Sequence, residues 1–150
     1  MNKKPAFDEI LDDVRSSDLK GAELRQFAME RLDHLPTYDW SGVYILKGDT
    51  LHLDAYVGEA TDHTEIPVGR GVCGTAVATG ENQLVPDVRR LENYLSCSIH
   101  TRSEIVTLIR RDGKIVGQID IDSHEVEAFD RQDEAFLDEM GRILAGRWED

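Results

Sequence analysis

Cysteine is scarce in this sequence: two in 150 residues. Two thiols cannot build the framework of a small secreted disulfide domain or a four-cysteine zinc site, and no resident metal is expected. Long apolar runs are missing too, none approaching the ~20 residues that span a bilayer. The opening Met1-Asn2-Lys3-Lys4-Pro5 lacks the apolar segment of a secretion signal. A cytoplasmic chain with no membrane partner is the expectation. Positive charge is the third shortage. Seventeen Lys and Arg face thirty Asp and Glu, a formal net charge of −13, which repels phosphate and argues against a nucleic-acid partner. The acids are spread along the chain, a pattern that serves solubility. Internal repeats, linkers and low-complexity tracts are absent, and the length suits one domain over residues 1–150.

What is present is a clear order of elements. Phe7, Ile10, Leu11 and Val14 recur at helical spacing, predicting a helix over about residues 7–16. A second runs over about 19–35, striped by Leu24, Phe27, Ala28 and Leu32 and ended by Pro36. Strands are predicted over 40–46 and 50–57, joined by a Lys-Gly-Asp turn, with Trp40, Gly42 and Tyr44 on one face of the first. Leu51, Leu53 and Ala55 alternate with His52 and Asp54 in the second. A short strand at 65–67 leads into Val68-Gly69-Arg70-Gly71-Val72-Cys73-Gly74, followed by a short helix over about 74–79. Those glycines allow tight turns and close backbone approach, but the Gly-Lys-Ser/Thr ending of a phosphate loop is missing. A strand at 83–85, a polar loop over 88–103 and an Ile/Val-rich hairpin over 104–122 follow. A last helix runs to about 148, with Asp130 as its N-cap. Helices at the ends and strands between them indicate an α+β fold. Its central antiparallel sheet carries the N- and C-terminal helices on one face and loops with a ligand pocket on the other.

The hairpin and the two cysteines carry the chemistry. If its loop has three residues, Arg111-Asp112-Gly113, then Glu104 falls opposite Asp120, and Asp122 points the same way. A two-residue loop sends Glu104 to the other face. The three-residue form is the preferred reading. Three acids on one face raise one another's pKa, so one can hold a proton near neutrality. Val106, Leu108 and Val116 share that acid face, and Ile105, Ile109, Ile119 and Ile121 line the other. A strand apolar on both sides is usually covered on both, so the acids are expected to be more than a solvated edge. Cys97 lies in the long polar loop, and Cys73 stands just before the short helix, where an N-terminus favours a thiolate.

The stretch TRSEIVTLIRRDGKIVGQIDIDS followed by FDRQDEAFLDEM resembles the second half of a GAF domain. Within that family, IPVGRGVCGTAVATG, a second cysteine 97 − 73 = 24 positions on, Ser-Glu-Ile, Asp-Ile-Asp and the upstream DWSGVYIL resemble the stand-alone free methionine-(R)-sulfoxide reductases. The resemblance implies Cys97 as nucleophile and Cys73 as resolving cysteine, joined in a disulfide during turnover. It implies that Glu104, Asp120 and Asp122 hold the sulfoxide and supply its proton, and that Trp40 and Tyr44 line the pocket. It implies no cofactor, an external reductant such as thioredoxin, and compatibility with a homodimer. His63 stands where many of these enzymes carry a third cysteine. The other reading is a non-catalytic GAF module that binds a small ligand or dimerises in signalling.

Overall fold

The structure is a computed structural model that describes residues 2–92, 94 and 99–149. Among the described residues, four α-helices and six strands follow one another as α1 (Lys4–Ser16), α2 (Gly21–Leu32), β1 (Trp40–Lys47), β2 (Thr50–Val57), β3 (Glu65–Pro67), α3 (Gly71–Thr79), β4 (Gln83–Val85), β5 (Ser103–Arg111), β6 (Lys114–Ser123) and α4 (Arg131–Gly146). A 3-10 turn, Val88–Arg90, lies in the long loop. The strands form one antiparallel sheet in the order β3-β2-β1-β6-β5-β4. Both edge strands have three residues, which leaves little unpaired edge for another chain. Among the described residues no helix is long and apolar enough to cross a membrane.

One sheet face carries α1, α2 and α4. Their stripes (Ile10 and Val14, Leu24 and Ala28, Leu137 and Met140) close on Val43, Ile105, Ile119 and Ile121 from the strands. The Asp130 cap is complete. Its carboxylate accepts from the Gln132 N–H at 2.9 Å, and Asp133 reaches back to the Asp130 N–H at 2.9 Å, a reciprocal capping box. Asp133 also accepts from the Tyr38 hydroxyl at 2.7 Å. Burial, then the charge of Asp133, pushes the Tyr38 pKa well above its ordinary value. The α+β order and the one-sided helix layer follow the expectation. The other face packs a smaller apolar cluster beneath α3, including Trp40, Tyr44, Val72, Cys73, Val106 and Leu108.

Two irregularities decide which side chains reach that second face. The hairpin loop has two residues, with Asp112 at φ 52° and Gly113 at φ 80°, the two left-handed positions of a tight primed turn. The expected three-residue loop is therefore corrected. The acids nevertheless share a face, because β6 carries one extra residue. Arg110 pairs with Ile115 but Ile109 with Gly117, so Val116 is bulged. The bulge restores the phase that the shorter loop would have lost. Glu104 lands opposite Asp122 instead of Asp120, and Val116 turns to the helix face instead of the acid face. The second irregularity sits in β2. Val43 pairs with Ala55 and Tyr44 with Leu53, leaving Asp54 bulged. Leu51 and Leu53 consequently pack on the α3 side while Ala55 joins the helix side, which breaks the simple alternation expected of that strand. The bulged Asp54 accepts from Arg25 Nε at 2.6 Å. Arg25 is itself buried against the Trp148 ring, with Cζ 4.5 Å from the centroid.

Candidate active site

The candidate site is assembled layer by layer across β1, β6 and β5. Trp40 pairs with Asp122 and Asp122 with Glu104; Gly42 pairs with Asp120 and Asp120 with Val106; Tyr44 pairs with Gln118 and Gln118 with Leu108. Alternation puts all these side chains on the face beneath α3. Glu104, Asp120 and Asp122 are 3%, 0% and 1% exposed, so the solvated-edge reading fails. β1 and β5 flank β6 on both sides, and α3 roofs the acids.

Cys73 comes down from α3. That helix begins at Gly71, earlier than expected, so Cys73 lies within its first turn and not ahead of it. Gly74 lets the turn pack closely: a Cβ there would sit 2.6 Å from the Pro67 carbonyl oxygen. The Cys73 thiol donates towards Glu104 Oε2 at 4.0 Å. One ligand atom each from Cys73, Glu104 and Asp120 lies within 4.8 Å of the others. Burial pushes the Asp120 pKa up, while hydrogen bonds with Glu104 and Cys73 pull it part of the way back. Burial favours the neutral form of Asp120. Thiol and carboxylates are also donor types for a metal. With Zn–S about 2.3 Å and Zn–O about 2.0–2.2 Å, this trio would have to contract to close on an ion.

Trp40 and Tyr44 fix the loop that follows β2. Trp40 Nε1 donates to the Glu59 carbonyl at 2.9 Å, and the Tyr44 hydroxyl donates to the His63 carbonyl at 2.9 Å. The Trp40 ring stacks on Tyr56 with centroids 5.7 Å apart. It also lies across Gly42, where a Cβ would meet Cζ3 and Cη2 at 2.6 and 2.4 Å. Cys97 lies outside the described residues.

The GAF domain sequence profile matches residues 22–146. The chain belongs to the GAF domain family. Its curated relatives include a free methionine-R-sulfoxide reductase of Saccharomyces cerevisiae, 39% identical over 71% of this chain and 61% of that protein. The Escherichia coli free methionine-R-sulfoxide reductase is 38% identical over 72% and 65%, and protein YtsP of Bacillus subtilis is 41% identical over 73% and 68%. The matched stretch thus spans slightly under two thirds of the two named reductases. Among solved structures, the Neisseria meningitidis free methionine-R-sulfoxide reductase in complex with its substrate superposes with a TM-score of 0.92. It is 32% identical and covers 99% of this chain and 91% of its own. The type II enzyme of Thermoplasma acidophilum gives 0.80 at 38% identity, covering 91% and 93%.

Of the residues singled out from the sequence, this GAF domain brings Cys73, Glu104, Asp120, Asp122, Trp40 and Tyr44 onto one buried face. Gln118 was not foreseen. It is fully buried in the same face, between Tyr44 and Leu108. Its place in the Gly-Gln-Ile-Asp-Ile-Asp run, two before Asp120, was the available signal.

Proposed function

We propose that this GAF domain reduces free methionine-(R)-sulfoxide to methionine. The observation that supports the reading best is a thiol set against two buried carboxyls, one of which burial favours in its neutral form. Sulfoxide reduction needs those two groups, a sulfur nucleophile and a proton for the oxygen. A neutral Asp120 protonates the sulfoxide oxygen, the Cys97 thiolate forms a new S–O bond to it, and the substrate S–O bond breaks with its electron pair returning to the methionine sulfur. Methionine leaves and the oxygen stays on Cys97 as a sulfenic acid. The Cys73 thiol then attacks that sulfur, forming the Cys73–Cys97 disulfide and releasing water. An external dithiol such as thioredoxin reduces the disulfide and is itself oxidised. Glu104 and Asp122 orient the sulfoxide, and Trp40 and Tyr44 form the apolar wall of the pocket. The relatives named as reductases support the reading.

The test is methionine formation from the free R-sulfoxide with a thioredoxin system. Cys97→Ser is expected to abolish turnover, and full activity in that variant refutes the assignment. A second reading, a ligand-binding GAF module without turnover, draws on the near-complete burial of Trp40 and Tyr44, which suits packing. Saturable binding of the sulfoxide by wild-type protein without product would favour it.

A further inference from the structure

Gln118 poses a problem that the fold does not solve. It is 0% exposed, yet neither Nε2 nor Oε1 has a hydrogen-bond partner among the described residues. Leaving a buried amide unsatisfied costs far more than a leucine would at the same position. Its neighbours across the sheet, Tyr44 and Leu108, make this an apolar setting where an amide brings no packing advantage. A buried polar group left open on the same face as the candidate site can be satisfied by a ligand that enters there.

Spacing indicates the ligand group. Gln118 and Asp120 are two residues apart on the same face of one strand, a separation of about 6.6 Å. In methionine sulfoxide three bonds separate the sulfur from Cα, a reach of about 4 Å, and the ammonium and carboxylate lie one bond further. With Glu104 and Asp122 on one side of Asp120 taken up by the sulfoxide, a substrate held there is long enough to bring its α-amino acid end to Gln118 on the other side. A primary amide complements that end: Nε2–H donates to the carboxylate and Oε1 accepts from the ammonium.

We propose that Gln118 reads the α-ammonium and α-carboxylate of the substrate and sets the preference for a free amino acid. This assignment rests on the reductase reading. The experiment compares wild type with Gln118→Leu, which keeps the volume and removes the open amide. Two measurements are made: thermal unfolding, and steady-state kinetics on free methionine-(R)-sulfoxide and its N-acetyl derivative. The variant is expected to unfold about 2–8 °C higher than wild type without substrate. Its KM for the free sulfoxide should rise at least about tenfold with kcat little changed, and its preference for the free over the acetylated compound should fall by a similar factor. A variant that melts lower or fails to fold makes the amide structural and overturns the proposal, as does an unchanged KM. Wild-type protein that neither binds nor reduces the sulfoxide overturns the reductase reading and this assignment together. Wild-type turnover with an indifferent Gln118→Leu overturns the assignment alone.

Discussion

Gly42→Ala tests whether the wall of the site is built as tightly as its geometry says. The new methyl carbon would lie 2.4 and 2.6 Å from two Trp40 ring atoms and 3.3 Å from the Ala55 carbonyl oxygen. Carbon atoms in contact sit about 3.5–4.0 Å apart, so the ring must retreat by about 1 Å. Its retreat is obstructed. The Nε1 hydrogen bond to Glu59 ties one edge, Tyr56 stacks on the ring, and a Cβ at Gly58 would already be 2.8 Å from Cδ1. Overpacking costs about 1–3 kcal/mol, and losing the Trp40 hydrogen bond adds about 1 kcal/mol. The sum is about 2–4 kcal/mol, a large share of a typical domain's total of about 5–15 kcal/mol. Urea unfolding followed by tryptophan emission measures it. Only Trp148 shares the signal, so Trp148→Phe isolates Trp40. In a Trp40→Leu background the same glycine substitution should cost much less, the mark of a direct clash. A loss below about 0.5 kcal/mol with Trp40 emission unchanged would refute the packing argument.

Other outcomes follow from the same coordinates. Asp120→Asn should stabilise the protein progressively as pH rises. The raised folded-state pKa of Asp120 means that its favourable contribution is complete below the unfolded value near 3.8 and is lost as pH climbs through the folded value. Urea midpoints at pH 4 and pH 8 would show the gap between variant and wild type widening, and a constant gap would contradict the burial argument. Under turnover conditions the same variant should lose activity, since an amide cannot supply the proton. Arg25→Met should cost about 1–2 kcal/mol in chemical denaturation, because the ion pair with the solvent-accessible Asp54 carboxylate and the contact with the Trp148 ring are both lost; Asp54→Asn alone should cost less than about 1 kcal/mol. Asp130→Ala removes the α4 cap and should cost about 1 kcal/mol without altering KM.

Most of the fold was legible because its signals were local and redundant. The α1 and α2 stripes and the Asp130 cap each point to one conformation, and the Ile/Val runs around Asp112-Gly113 point to a hairpin. The acid face was legible for a partly wrong reason. A three-residue loop and a two-residue loop with a bulge give the same facing, so Glu104, Asp120 and Asp122 come together either way. Their exact partners depend on Val116, and nothing in Lys-Ile-Val-Gly announces which residue will bulge. The start of α3 was misplaced because Gly71-Val72 reads as loop; Gly71 takes φ 63°, a left-handed entry that suits glycine, and the helix runs on directly from it. Gln118 escaped notice because a glutamine in a strand ordinarily faces water. Only the neighbours that β1 and β5 place on either side of it show that it does not.

The Val116 bulge also separates two parts of one hairpin. Beyond it, the exposed turn at Asp112-Gly113 keeps its own count of residues; before it, Gly117 is wedged where a Cβ would lie 2.3 Å from the Tyr44 carbonyl oxygen, locking the strand to β1. Chain added at the tip would therefore be absorbed there instead of being passed down the strand. The tip is a natural attachment point for a tether or an optical reporter, one that leaves the carboxyls below it in step.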